Sequence, residues 1–242
     1  MYRSLDAALI VETAGRLRRR IEERFPGSGL GRVAAELEGV TLETAQLSRW
    51  LATPDRPLRY GVGLVIAVLV SMLIVLFARI PLEMRGSDWS ETFQGLEALV
   101  NDAVFVGVAI YFMLGVETRR KRRRALTALQ VLRSMAHIVD MHQLTKDPER
   151  IATPERDTSS SPKRSLSPFE LARYLDYSTE LLAIVSKVAA LYVQEFDDPV
   201  TVGAASAIED LSVNLSRTIW QKIVILDRTL ATENALAGND PS

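Results

Sequence analysis

The sequence predicts an all-α membrane protein: a two-helix transmembrane hairpin with both termini cytoplasmic, and a cytoplasmic helical bundle that includes a long C-terminal antiparallel αα-hairpin. Three observations carry this expectation. Two apolar stretches of 18 and 19 residues lie mid-chain, apolar residues elsewhere recur at i, i+3/i+4, and nothing reads as a convincing strand.

Bulk composition conceals this organisation. The 242 residues are 48% hydrophobic and 24% charged, with 29 basic against 30 acidic side chains. That balance excludes a disordered chain and a uniformly basic nucleic-acid binder. The lack of cysteine excludes a disulfide framework, a Cys-ligated metal and thiol catalysis. Divided by segment, the net charge is +2 over 1–59, −2 over 79–97, +5 over 117–147 and −6 over 168–242.

Residues 1–58 read as an N-terminal cytoplasmic helical region. From Ser4 to Phe25, Leu5, Leu9, Leu17 and Ile21 follow helical spacing beside Arg16, Arg18, Arg19 and Arg20, and Pro26-Gly27 ends the run. A second helix is expected over Arg32–Leu51, weakened by Gly39 and restarting near Thr41.

Residues 59–117 form the hairpin, with helices about 60–80 and 97–117 and a short external loop. Gly61–Ala78 is interrupted only by Ser71, and Ala98–Val116 only by Asn101 and Asp102. Eighteen helical residues span about 27 Å, close to the roughly 30 Å hydrocarbon core. Arg49, Arg56 and Arg59 precede the first span and Arg119, Arg120, Lys121, Arg122, Arg123 and Arg124 follow the second, whereas the loop is acidic. The positive-inside rule therefore places both termini in the cytoplasm of a bacterial inner membrane, with Trp89 and Phe93 as outer anchors.

Residues 118–146 extend the second span as a basic juxtamembrane helix. Residues 147–167, rich in Pro, Ser and charge, read as a flexible linker. Ser167-Pro168-Phe169-Glu170 has the form of a capping box with Pro at the first helical position. It opens a helical hairpin over 168–232, broken and recapped at Asp197-Asp198-Pro199, and 233–242 reads as a disordered tail.

Few residues suggest chemistry. Both histidines lie in His137-Ile-Val-Asp140-Met-His142, but on a helix His142 sits about 140° around from His137, which argues for packing over metal ligation. Asn101 and Asp102 are polar groups in an apolar span and are weak candidates for ion or proton coordination. Gly63, Ala67 and Ser71 recur every four residues on one span, and Ala103, Gly107 and Gly115 share a face of the other; such small residues suit close helix packing. The run Arg119–Arg124 fixes topology and offers cations to anionic lipid headgroups, and the acidic 168–242 segment supplies it with a competing partner.

No nucleophile–base pair, phosphate loop or dinucleotide fingerprint is present. The expectation is a non-enzymatic inner-membrane protein without cofactor. Its bundle would bind an unknown protein or its own copies as scaffold, adaptor or signalling element, and would not bind nucleic acid. The alternative is an oligomeric channel or transport-accessory subunit with Asp102 near the pathway.

Overall fold

The structure, a computed structural model, describes residues 4–83, 89–148 and 166–237. Among them every regular element is a helix: α1 (Ala7–Arg24), α2 (Gly29–Ala52), α3 (Arg56–Glu83), α4 (Trp89–Leu114), α5 (Val116–Leu144), α6 (Pro168–Val193) and α7 (Pro199–Ala237). The chain divides into two compact units. One combines Met1–Ala52 with Arg124–Ser242, and the other is Thr53–Arg123.

In the first unit, the Asp6 carboxylate caps α1 by accepting from the Ala8 amide at 2.8 Å. Gly27 turns the chain into α2 with φ 67°, a left-handed conformation that glycine adopts without a Cβ clash. α2 runs unbroken through Gly39, so no restart occurs at Thr41. A single glycine costs only about 1 kcal/mol in a helix, and the buried Leu30, Val33, Ala34 and Leu37 hold the face on which α2 packs. Both halves of the capping box form at Ser167 and Glu170. Asp198 caps α7 through the Thr201 amide at 3.0 Å and the Thr201 hydroxyl at 2.9 Å.

α6 and α7 pack along their lengths, α1 packs on α2, and both rest on α6. The apolar line of α5 enters the same core: Leu129, Leu132, Ala136 and Val139 are buried with Leu17, Leu37, Leu182 and Leu226. Phe25 meets Tyr174 edge to face, with ring centroids 5.5 Å apart. α7 continues through 233–237, which the sequence reading assigned to the tail, because no breaker precedes Gly238. Most of the linker (149–165) and the last residues (238–242) lie outside the described residues.

In the second unit α3 and α4 pack side by side. Both are long and apolar enough to cross a membrane, and neither apolar window has a buried residue. Their half-buried seam is Val62, Ile66, Leu69 and Leu73 on α3 with Val106, Ala109, Ile110 and Met113 on α4. Gly63, Ala67, Ser71, Ala103 and Gly107 are exposed instead, and a Cβ added at Gly63 or Gly107 would meet nothing within 4 Å. α4 and α5 follow one another across Gly115, whose carbonyl accepts from the Arg119 amide at 3.0 Å, a helical i to i+4 bond. The side chains of Trp89 and Phe93 lie outside the described residues.

Candidate functional site

A polar cluster of the second unit lies where α3 begins and α5 follows α4. Asp55 and Glu117, two carboxylates among many cations, organise it. Arg59 Nε donates to Glu117 Oε2 at 2.6 Å, and the Asp55 amide donates to Glu117 Oε1 at 3.1 Å. Lys121 pairs with Glu117 Oε1 at 3.1 Å and donates to the Thr53 carbonyl at 2.7 Å. Arg120 pairs with Asp55 at 2.8 Å. The result is a clamp joining the first turn of α3 to the first turn of α5.

The six cations that the sequence presents as one run are thus sorted by the fold. Lys121 is buried, and Arg120 is held by Asp55. Arg119 lies over the Phe112 ring and donates to the Phe112 carbonyl. In the other unit, Arg124 stacks on Trp50 at 4.6 Å. Arg122 and Arg123 also have partners. The acidic C-terminal hairpin finds a cation elsewhere in its own unit: Arg20 of α1 donates to both carboxylate oxygens of Glu180, at 2.7 and 3.2 Å.

Beside the clamp, a groove of about 330 Å³ opens between α3 and α4. Val62, Ile66, Met113 and Leu114 wall it, Gly63 leaves it open, and Arg59, Glu117 and Thr118 stand at its mouth. Asn101 and Asp102 lie away from it, exposed on α4.

In the first unit only His142 of the histidine window lies against Gly29. The His142 ring fills the space that Gly29 leaves, and a Cβ at Gly29 would approach Nδ1 to 2.8 Å. His137 is exposed and Asp140 half-buried. Asp140 Oδ1 accepts from Gln143 Nε2 at 2.6 Å, while Lys222 Nζ donates to Gln143 Oε1 at 2.6 Å and to the Gln143 carbonyl at 3.1 Å. Burial holds the Lys222 ammonium below its ordinary pKa, with Asp147 and Asp140 opposing the shift. Among the described residues no group of three or more His, Asp or Glu is arranged to hold a metal. A further buried link joins Thr44 and Tyr192 at 2.7 Å.

The sequence reading missed Gln143, Lys222, Asp55 and Glu117 as organising residues. Gln143 had a signal: it continues the phase of Leu129, Leu132, Ala136 and Val139, so a polar side chain falls on an apolar line. Asp55 and Glu117 also had one, as lone acids flanking the two spans amid basic residues. Lys222 had none, because only tertiary packing brings α7 against the end of α5.

Comparison of the chain with protein-family models, with curated proteins and with solved structures found no match.

Proposed function

We propose that this chain is a non-enzymatic bacterial inner-membrane protein, anchored by a two-helix hairpin with both termini cytoplasmic, whose helical bundle binds a protein partner as scaffold or adaptor. That the segments before and after the apolar pair build one core supports placing them on one side of the membrane. The basic flanks favour the cytoplasm as that side. The polar groups of the bundle engage each other in helix-to-helix links, such as Thr44–Tyr192 and Lys222–Gln143, an arrangement that supports a structural use for them.

The observation that carries the binding role is Trp220. It is 61% exposed on α7, one heptad from Val213, which is 55% exposed. A large aromatic left outside a filled core is the residue type on which protein interfaces concentrate their binding energy. In-membrane crosslinking of the full-length protein tests this. A discrete crosslinked species should form with the wild type and be lost in Trp220→Ala, while the level of folded protein is unchanged. Identical crosslinking of the two proteins, or none in either, defeats the proposal.

A further inference from the structure

We infer that the groove between α3 and α4 is a lipid site, taking one acyl chain of an anionic phospholipid with the phosphate at its mouth. The inference rests on reading α3 and α4 as membrane spans, and it concerns a different surface from the partner-binding face.

The groove joins two chemistries in one place. Its walls, Val62, Ile66, Met113 and Leu114, are aliphatic and belong to the apolar segments themselves. Its volume of about 330 Å³ falls within the range of about 300–1,000 Å³ typical of ligand pockets. Its mouth lies at the basic end of the hairpin. Residues 53–59 and 117–123 hold seven Arg or Lys against only Asp55 and Glu117. Among the described residues the clamp holds Arg59 by Nε alone of its five donors, and Arg59 and Thr118 both line the groove. A guanidinium and a hydroxyl at that position match the oxygens of a phosphodiester. A soluble phosphate would gain nothing from the aliphatic walls, and a neutral amphiphile would gain nothing from the net positive charge. An anionic phospholipid gains from both.

Gly63 makes the site testable, because the space beside it is open. A Cβ there would meet nothing within 4 Å, so a leucine can be placed at the groove lining. Full-length protein would be reconstituted in vesicles of equal phosphatidylglycerol and phosphatidylcholine and extracted into mild detergent. Native mass spectrometry then counts the retained lipid. One phosphatidylglycerol per chain is expected, with retention falling about tenfold, equivalent to about 1.4 kcal/mol, in Gly63→Leu and in Ile66→Trp. Gly107→Leu, a change at an equally open glycine away from the groove, should retain the lipid. Equal retention of the two lipids, no retention, or wild-type retention in both blocking variants overturns the inference. Alkaline carbonate extraction of the membranes separates the two failures. Protein that stays in the membrane yet retains no lipid removes the site alone, whereas protein that is extracted removes both the site and the spans on which it rests.

Discussion

Ser167 and Glu170 satisfy each other's backbone at the start of α6. The Ser167 hydroxyl accepts from the Glu170 amide, and the Glu170 carboxylate accepts from the Ser167 amide at 2.8 Å. That backbone hydrogen bond, followed by the one from the Ser167 hydroxyl, holds the Glu170 carboxyl below its ordinary range. A carboxylate with a depressed folded pKa stabilises above its unfolded value and loses that contribution as pH falls through the folded one. The stability gap between wild type and Glu170→Gln should therefore be constant above pH 4.5, the ordinary glutamate value, and close in more acid solution. Urea melts of the full-length protein at a series of pH values measure it, and a gap indifferent to pH would contradict the assignment. Ser167→Ala should cost about 1 kcal/mol at neutral pH, as N-cap removal usually does. This cap was legible in the sequence because it is local, four consecutive residues with fixed roles. The His142–Gly29 contact was not, since nothing near either residue in the chain names the other.

At the scale of the element, α5 carries two apolar lines. Leu129, Leu132, Ala136 and Val139 are buried, whereas Val131, Ile138 and Met141 are exposed. Leu132→Ala should destabilise the bundle by about 2–5 kcal/mol through lost transfer energy and a cavity. Ile138→Ala should change stability by less than about 0.5 kcal/mol. Thermal melts of the two variants discriminate them, and equal losses would mean that both lines are packed. Spacing revealed the inner line in the sequence, yet the outer one repeats at helical intervals too, and only the other helices decide which is covered. The spans show the same limit. Periodicity marked Gly63, Ala67 and Ser71 as a close-packing face, but the seam formed on the neighbouring line of Val62, Ile66 and Leu69. The clamp was illegible for a related reason: it pairs Asp55 with Arg120 and Arg59 with Glu117 across about sixty residues of chain.

For the whole molecule, the proposed topology predicts the behaviour of reporters. Alkaline phosphatase, active only outside the cytoplasm, should be active when inserted at Ser87 and inactive when fused after Ser242. The reverse pattern, or activity at both positions, would sink the shared-side arrangement. Discontinuity of the bundle unit then dictates an order of events at the ribosome. α1 and α2 emerge first but lack the surface that α6 supplies more than a hundred residues later, a wait on the order of ten seconds at about 5–20 residues per second. On the proposed topology, closure of the bundle would thereby report on insertion. If only one span crossed, the two halves would be stranded on opposite faces of the bilayer, each with its leucines uncovered and open to proteolysis. On the proposed topology, splitting one core around a membrane hairpin would make correct insertion a condition of folding.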